Sequence, residues 1–320
     1  MKFLITGGAG FIGSNTSHFL VNQGHGVRII DNFSSGKKEN LDGILNDIEL
    51  INGDIRDFDL VKKAITGVDY VLHLAALASV PASIENPVLA NDINVNGTLN
   101  VLEASRLTFV KKVVFASSSA VYGDTKELPI KESVTPRPLS PYAVGKLMGE
   151  YYARLYWEHY QLPTVSLRFF NVYGPRQNPD GDYAAVIPKF IQMLLNGKSP
   201  KVYGDGEQSR DFIFVDDAVQ ACFLAATNNE INGTEFNVAY GSRSTLNQLI
   251  ENLQLIMNTS VNAVHGGIRA GDITHSYADI ARFSSYGFKP KVDFKTGLRK
   301  TVEYFSETQT APRAVSKVNR

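Results

Sequence analysis

Cysteine is almost absent from this chain, since Cys222 is the only one among its 320 residues. One cysteine excludes an intrachain disulfide and a cysteine zinc cluster. The six histidines show no ligand spacing with acidic residues, so we expect no metal site. No apolar run approaches the roughly 20 residues that a helix needs to cross a bilayer.

Net charge is also missing, because 32 Lys and Arg residues balance 32 Asp and Glu residues. A neutral chain has no overall field that favours nucleic acid or an anionic membrane, although a local basic site for a phosphorylated ligand stays open. The first apolar run begins at Lys2, which leaves no room for a signal peptide. We therefore expect a cytoplasmic protein.

Short β-rich apolar runs alternate with segments of helical spacing through the first half of the chain. Alternation of this kind predicts parallel strands with right-handed crossovers, and hence an α/β fold with a doubly wound parallel sheet of the Rossmann type. We expect strands at 2–6, 26–30, 48–52, 68–75, 111–117 and 164–169, and helices at 11–21, 60–65, 94–106 and 142–160.

The pattern changes after residue 170, where loops become longer and richer in glycine and proline. Helical spacing persists at 185–196, 215–227 and 246–257. We expect residues 1–170 to form a dinucleotide-binding domain to which some later segments return. Residues 171–320 are expected to form a smaller α+β substrate domain with a frayed polar tail at 306–320.

Three glycines, Gly7, Gly10 and Gly13, lie between the first strand and the first helix. In a dinucleotide site the first allows a tight turn, the second lets the backbone approach a pyrophosphate, and the third lets helix and strand pack closely. The helix N-terminus adds N–H groups and the positive end of its dipole. A purely structural turn is the alternative, but the strand–glycine–helix order favours the dinucleotide.

Acidic residues follow the second and third strands. A carboxylate at Asp31 would accept hydrogen bonds from a ribose 2′-hydroxyl and repel a 2′-phosphate, which favours NAD over NADP. Lys37 and Lys38 keep a phosphate contact open, and a strand-end cap is the alternative for Asp31. Asp54 has the position of a residue that holds the adenine amino group, or it caps a helix that begins at Arg56.

Tyr142 and Lys146 are four residues apart in a helical segment, so both side chains lie on one face. Tyrosine is a weak base at neutral pH because its ordinary pKa is about 10, but a nearby ammonium favours the phenolate. The pair is therefore a candidate proton-transfer unit. Taken alone, the spacing favours an ordinary pair on a helix surface, and the pair gains weight only from its neighbours.

Three motifs together, "TGGAGFIG", "SSSAVYG" and "YAVGK", closely resemble the extended short-chain dehydrogenase/reductase family. Within that family the chain looks most like the UDP-hexose 4-epimerases, over nearly all of its length to about residue 305. The resemblance implies NAD as cofactor, a UDP-sugar as substrate and a homodimer. Helices near 94–106 and 142–160 would form the four-helix bundle of that dimer; burial within one chain is the alternative.

The resemblance also implies a role for each residue of the catalytic trio. Tyr142 takes the proton from the sugar 4-hydroxyl as hydride leaves C4 for NAD⁺, and Lys146 binds the nicotinamide ribose and lowers the pKa of the tyrosine. Ser118, four residues before Tyr122, hydrogen-bonds O4 and relays the proton. The expected cofactor contacts are Gly7, Gly10, Phe11, Ile12, Gly13, Asp31, Asn32, Asp54, Ile55, Leu74, Ala75, Ala76, Tyr142, Lys146 and Phe169.

In the second half, the resemblance assigns Arg210 and Arg269 to the diphosphate and Asp272 to the uridine ribose. An arginine fork suits a diphosphate by charge and geometry, whereas a solvated surface charge is the usual role of an isolated arginine. Ser276 occupies the position that gates the sugar 2-substituent. The expected substrate contacts are Ser79, Ser118, Ser119, Asn171, Arg210, Arg269, Asp272 and Ser276.

Small residues at three positions indicate which substrate is accepted and which reaction is catalysed. A serine at position 276 leaves room for an N-acetyl group, so we expect UDP-GlcNAc and UDP-GalNAc to be accepted, alone or together with UDP-Glc and UDP-Gal. Related 4,6-dehydratases carry Asp-Glu where this chain has Ser119 and Ala120, and water cannot be eliminated without an acid and a base there. The sequence therefore favours epimerisation.

Other interpretations stay open. A UDP-glucuronate 4-epimerase would share all of these motifs, and an idle NAD-binding regulator would share the fold. His73 is interpreted as a packed strand-end residue. Ser79 and Ser83 either touch substrate or cap the next helix.

Overall fold

Fourteen strands are found in the computed structural model, which describes residues 1–180, 185–267 and 274–310. They are β1 (Lys2–Thr6), β2 (Gly26–Asp31), β3 (Ile48–Asn52), β4 (Tyr70–His73), β5 (Lys112–Ser118), β6 (Thr164–Phe169), β7 (Asn171–Tyr173), β8 (Lys201–Tyr203), β9 (Ser209–Arg210), β10 (Phe212–Phe214), β11 (Thr234–Val238), β12 (Ser244–Thr245), β13 (Val264–Gly266) and β14 (His275–Ser276).

The helices connect these strands and cover them. They are α1 (Phe11–Asn22), α2 (Phe58–Ile65), α3 (Val80–Glu85), α4 (Pro87–Asn91), α5 (Gly97–Leu107), α6 (Pro141–Tyr160), α7 (Val186–Leu195), α8 (Val215–Thr227), α9 (Leu246–Met257), α10 (Ala281–Ser284) and α11 (Phe294–Thr310). A π-helical turn at Asp92–Asn96 leads directly into α5, and a 3₁₀ turn at Ser119–Tyr122 follows β5.

One central sheet carries seven strands in the order β11-β6-β5-β4-β1-β2-β3. All of its neighbouring strands are parallel. Helices α1 and α8 cover one face, and α2, α5 and α6 cover the other. The sheet therefore confirms the doubly wound α/β fold that the alternating pattern predicts. Burial on both faces explains why these strands are apolar runs: every residue of β6 is buried.

From β1 the chain adds β2 and β3 on one side, and it then crosses back to add β4, β5 and β6 on the other side. The direction in which strands are added therefore reverses between β1 and β4. At such a switch point the loops after neighbouring strands diverge and leave a crevice at the carboxyl edge of the sheet. The glycine turn follows β1 at this edge, and the serine stretch ends β5 one strand beyond β4.

A smaller assembly of short strands lies outside the central sheet. It contains the parallel pairs β7–β10 and β8–β13 and the three-stranded sheet β12-β9-β14. Helices α7, α9 and α11 pack around one apolar cluster beside them. Later segments also return to the first half, because β11 pairs with β6 and α8 packs against α1. Helix α11 continues to Thr310, four residues past the expected start of a frayed tail at 306.

Some boundaries differ from the sequence-based expectation. Helix α2 begins at Phe58, because the Asp57 side chain accepts the Leu60 N–H at 3.0 Å. The interpretation of Asp54 as the helix cap is therefore wrong. Helices α3 and α4 were not expected at all. Within the described ranges, every helix is too short or too polar to cross a membrane.

Candidate functional site

The turn after β1 depends on glycine at two positions. Gly7 has φ +69°, and a Cβ there would lie 2.8 Å from the Ala75 backbone. A Cβ on Gly13 would lie 2.1 Å from the Gly7 carbonyl oxygen, well inside van der Waals contact. Only glycine lets α1 rest this closely on the turn.

The N-terminus of α1 is open at this turn. Gly10 is its N-cap residue, makes no side-chain cap, and is followed by no acidic residue in the first helical turn. Phe11 and Ile12, the first two helical residues, therefore present backbone N–H groups without a competing carboxylate. The cradle fits a pyrophosphate, as the three glycines predict.

Asp31 ends β2 beside the same turn and is almost completely buried. Its Oδ2 accepts the Ala9 N–H at 2.9 Å, and its Oδ1 accepts the Phe33 N–H at 2.8 Å. The carboxylate thus caps the glycine turn and keeps lone pairs for a ribose hydroxyl, so its two interpretations are compatible. Lys37, the nearby cation that could meet a phosphate, instead lies 3.7 Å from Asp180.

Asp54 lies at the same edge after β3. Both of its carboxylate oxygens receive hydrogen bonds from the Arg56 guanidinium, at 2.9 and 2.8 Å, and Asn32 adds another at 2.9 Å. This ion pair lowers the pKa of Asp54 to about 2. An adenine amino group at Asp54 would therefore share the carboxylate with Arg56.

His73 ends β4 and is fully buried. Thr98 Oγ1 donates to Asn94 O at 2.7 Å, so it accepts from His73 Nε2 at 2.9 Å. His73 Nδ1 then accepts from Thr6 Oγ1 at 2.7 Å. Burial lowers the pKa of His73 to about 3, so the ring stays neutral. The interpretation of His73 as a packed strand-end residue is confirmed.

The loop after β4 is held by polar groups that the sequence reasoning missed. Thr6 Oγ1 accepts the Ala75 N–H at 3.1 Å, and the buried Asn94 side chain bonds both backbone groups of Leu77, at 2.8 and 3.2 Å. Asn94 lies in the π-helical turn, a feature often found at functional sites. Single asparagines carry no periodic signal, which is why pattern analysis passed over it.

The proton-transfer helix α6 starts at the crevice. Ser140 caps it through the Ala143 N–H, and the buried Ser83 hydroxyl accepts the Tyr142 N–H at 3.1 Å. Ser83 therefore anchors the first turn of α6. Ser79, in contrast, caps α3 through the Ala82 N–H at 3.2 Å, as its structural alternative predicts.

Tyr142 and Lys146 share one face of α6, and the Lys146 Nζ lies 5.9 Å from the tyrosine ring centroid. The Lys146 ammonium is buried, donates to the Ala116 carbonyl at 2.7 Å, and lies over the Phe115 ring. Burial lowers the pKa of Lys146 to about 8. The lysine is therefore held between α6 and β5 with one protein acceptor.

Ser118 lies at the end of β5, close enough to Tyr142 to influence the pKa of its phenol. Its Oγ accepts the Ala120 N–H at 3.2 Å. Burial raises the pKa of Tyr142, and the nearby Ser118 hydroxyl opposes that rise. Burial is the larger influence, so the phenol is protonated at neutral pH.

The remaining expected contacts are spread along the same edge. Phe169 ends β6 and is nearly buried, while Leu74 and Ala76 follow β4 and are partly exposed. Ile55 is buried against Gly97. Ser119 opens the 3₁₀ turn after Ser118. Ile55 and Phe169 are buried, whereas Leu74, Ala76 and Ser119 have surface available to a ligand.

The substrate half contributes Asn171, Arg210 and Ser276. Asn171 starts β7 and its backbone N–H donates to Asp211 O at 3.1 Å. Arg210 lies in β9 between Ser244 of β12 and Ser276 of β14, so it shares a sheet row with the proposed gate position. Arg269 and Asp272 lie outside the described residues.

Known proteins resemble this chain over most of its length. Residues 3–239 match the family model described as the NAD dependent epimerase/dehydratase family. A putative UDP-glucose 4-epimerase of Methanocaldococcus jannaschii is 40% identical over 304 residues, which cover 94% of this chain and 97% of the relative.

Solved structures agree. A UDP-N-acetylglucosamine 4-epimerase from Methanobrevibacter ruminantium M1, in complex with UDP-N-acetylmuramic acid, has a TM-score of 0.93 at 44% identity, over 96% of this chain and 98% of its own. A UDP-glucose 4-epimerase from Thermotoga maritima with UDP-glucose has a TM-score of 0.92 at 38% identity, over 97% of this chain and 100% of its own.

The cradle can be tested with Gly13→Ala. The added methyl group collides with the Gly7 carbonyl, so α1 must move away from the pyrophosphate position. We expect NAD⁺ binding, measured by isothermal titration calorimetry, to weaken at least tenfold, or by about 1.4 kcal/mol. Gly267→Ala is the matched control, because no atom lies within 4 Å of its Cβ position. Equal NAD⁺ affinity in the two variants would contradict the assignment.

Proposed function

Because this chain belongs to the NAD-dependent epimerase/dehydratase family, we propose that it inverts C4 of a UDP-hexose through a transient 4-keto sugar. The family match confirms the resemblance that the three sequence motifs carry, and NAD is the cofactor. The chain is an enzyme of the epimerase kind. The observation that carries the proposal is the placement of Ser118 at the end of β5 next to Tyr142 and the buried Lys146, which share one face of α6 and are joined to β5 through the Ala116 carbonyl.

Each member of the trio has a distinct task in this proposal. Tyr142 takes the proton from the sugar 4-hydroxyl. Ser118, next to Tyr142 at the end of β5, holds the sugar O4 and passes the proton to the phenolate oxygen. Lys146 binds a ribose hydroxyl while keeping its ammonium near the ring. Bound NAD supplies an acceptor for the C4 hydrogen and returns it, so no second co-substrate is needed.

The pKa of Tyr142 decides when this base can act. Burial raises its pKa, and the nearby Ser118 hydroxyl opposes that rise. Positive charge from the protonated Lys146 and from an oxidised nicotinamide would stabilise the phenolate. We infer that Tyr142 becomes a base only when dinucleotide and sugar are both bound.

The turn after β5 supports epimerisation over elimination. Ser119 and Ala120 form the first half of the 3₁₀ turn at the sugar site. Neither side chain can donate or remove a proton near neutral pH as a carboxyl group can. A 4-keto sugar formed here would therefore keep its C5 proton and its C6 hydroxyl.

The proposed substrates are UDP-GlcNAc and UDP-GalNAc, alone or together with UDP-Glc and UDP-Gal. Ser276 is half-buried in β14, and its small side chain leaves space where a tyrosine would fill the site. The similarity to a UDP-N-acetylglucosamine 4-epimerase at 44% identity supports an N-acetylated substrate. Arg210, with Arg269 and Asp272 as expected partners, would bind the diphosphate and uridine ribose.

We further propose a homodimer through α5 and α6. Val144, Tyr151 and Leu155 recur along one face of α6 with helical spacing and are 45%, 47% and 42% exposed. Large apolar side chains in one exposed row are typical of an interface. Two copies of this helix pair would form a four-helix bundle.

A panel of UDP-sugars tests the function. Wild-type protein with NAD⁺ should interconvert UDP-GlcNAc and UDP-GalNAc, and nuclear magnetic resonance of the products measures the conversion. Tyr142→Phe should lower turnover at least about 100-fold, because the proton acceptor is lost. NAD⁺ affinity should be retained. Turnover of UDP-glucuronate alone would favour a UDP-glucuronate 4-epimerase. Binding of NAD⁺ without turnover of any sugar would favour an NAD-binding regulatory protein.

The gate is tested with Ser276→Tyr. The phenol ring should exclude the N-acetyl group, so kcat/KM for UDP-GlcNAc should fall at least about tenfold relative to that for UDP-Glc. Ser260→Tyr, at an exposed serine just after the C-terminal end of α9, serves as the control. An unchanged ratio in Ser276→Tyr would show that another residue sets the preference.

The dimer is tested by sedimentation. The wild-type protein should have the mass of two chains, and Leu155→Glu should have the mass of one, because burying an unpaired carboxylate is costly. Leu255→Glu is the matched control, since Leu255 is exposed on α9. Wild-type protein that sediments as one chain at micromolar concentration would refute the proposal.

A further inference from the structure

A buried ion pair lies directly behind the serine stretch. Arg168 of β6 and Glu150 of α6 are each 4% exposed at their side chains and form two hydrogen bonds, Nε to Oε1 at 2.9 Å and Nη2 to Oε2 at 2.7 Å. Paired burial in this fork geometry avoids the large cost of an isolated buried charge. The pair therefore fixes α6 against β6.

On one side, the pair reaches the proton-transfer residues. Glu150 lies two turns after Tyr142 and one turn after Lys146 on the same face of α6. Its Oε1 also accepts a hydrogen bond from Ser117, the residue before Ser118. Glu150 thus holds the helix that carries Tyr142 to the strand that carries Ser118.

On the other side, Arg168 reaches the substrate half. Its Nη1 donates to the Tyr122 hydroxyl at 2.9 Å, and that hydroxyl donates to Asn237 Oδ1 at 2.6 Å. Burial raises the pKa of Tyr122 to about 12, which keeps the hydroxyl available as a donor. Arg168 also lies over the Tyr122 ring, with 4.8 Å from its guanidinium carbon to the ring centroid.

The chain of contacts ends beside the gate. Asn237 Nδ2 donates to Ile130 O at 2.9 Å and to Asp279 O at 3.1 Å. Ile130 donates to the Tyr277 carbonyl at 2.9 Å, and it accepts from the Asp279 N–H at 2.8 Å. The anchored segment therefore begins at the residue after Ser276.

From this path we propose that Arg168 is a positioning residue that couples the Ser118–Tyr142–Lys146 trio to the segment carrying the sugar gate at Ser276. The proposal rests on the proposed epimerase function and deepens it. One buried cation sets the distance between the atoms that move the proton and the wall that selects the sugar. Loss of the arm through Glu150 and Ser117 would then lower turnover, and loss of the arm through Tyr122 and Asn237 would change sugar preference.

The test removes one hydroxyl from each of the two arms and keeps Arg168 itself. Removing Arg168 would leave Glu150 buried without its charge partner. Tyr122→Phe removes the hydroxyl between Arg168 and Asn237 and keeps the ring. Ser117→Ala removes the hydroxyl that joins β5 to Glu150. Both substitutions keep nearly all of the buried volume, so both variants should fold.

Matched controls come from buried hydroxyls outside the path. Tyr156→Phe removes a hydroxyl that donates to Glu103 at 3.0 Å, and Ser105→Ala removes one that donates to Val101 O at 2.6 Å. Melting temperatures of all four variants show whether a variant is simply destabilised. Differences in kinetics at similar melting temperature then report positioning.

Kinetics and binding are measured for UDP-GlcNAc and UDP-Glc. Ser117→Ala should lower kcat about tenfold with KM within about twofold, since the trio is displaced while the sugar wall stays. Tyr122→Phe should change the ratio of the two kcat/KM values about fivefold, and calorimetric binding of the two sugars should show the same change in ratio. Both controls should match the wild type.

The double variant decides whether the arms are coupled. If both arms act through Arg168, the fold loss of kcat/KM for UDP-GlcNAc in the double variant Ser117→Ala/Tyr122→Phe is smaller than the product of the fold losses in the two single variants. Fold losses of kcat/KM that multiply in the double variant would overturn the coupling. A sugar ratio in Tyr122→Phe equal to that in the control Tyr156→Phe would overturn it as well. A wild type that binds both sugars without turnover would refute the epimerase function instead, and the binding ratio of Tyr122→Phe would still test the coupling.

Discussion

The close approach of α1 to the turn after β1 is the constraint on which the site depends. At Gly13 a Cβ would lie 2.1 Å from the Gly7 carbonyl, and at Gly7 it would lie 2.8 Å from the Ala75 backbone. Two missing methyl groups therefore let a helix end, a strand end and the loop after β4 meet at one point. The reversal of strand order between β1 and β4 opens the crevice at that same point.

Around this crevice, buried polar groups hold the neighbouring strands, helices and loops in position relative to one another. His73 ties Thr6 of β1 to Thr98 of α5, and Asn94 ties the π-helical turn to the loop at Leu77. These groups find partners for their donors and acceptors, which removes the desolvation cost that orphaned polar atoms would carry. The residues that would touch ligand can then stand at the edge with part of their surface exposed, because a fully bonded layer behind them holds their backbone in place.

Much of the fold could be predicted from the sequence because parallel strands buried on both faces must be apolar, and glycine turns mark their ends. Expected and observed bounds of β1, β3 and β6 coincide. The placement of Tyr142 and Lys146 on one face of α6 was also predictable from their helical spacing, whereas Ser118 could be chosen only from the resemblance that the three motifs carry. Arg168 and Asn94 were not, because a buried polar residue is recognisable only from partners that lie far away in sequence. Helices α3 and α4 escaped because each is too short to show a period.

The proposed mechanism separates the residues that carry the reaction from the residue that selects the sugar. Ser118, Tyr142 and Lys146 lie on β5 and α6, where the Glu150–Arg168 pair joins the helix to the central sheet, whereas Ser276 lies on a two-residue strand of a small sheet. Under this proposal, a substitution in β14 would alter the wall beside the sugar without shifting a strand of the central sheet. A substitution in β5 or α6 would instead displace the proton path for every sugar. Sugar preference would therefore be varied most easily at the short strands, provided that the segment after Ser276 keeps its anchorage through Asn237.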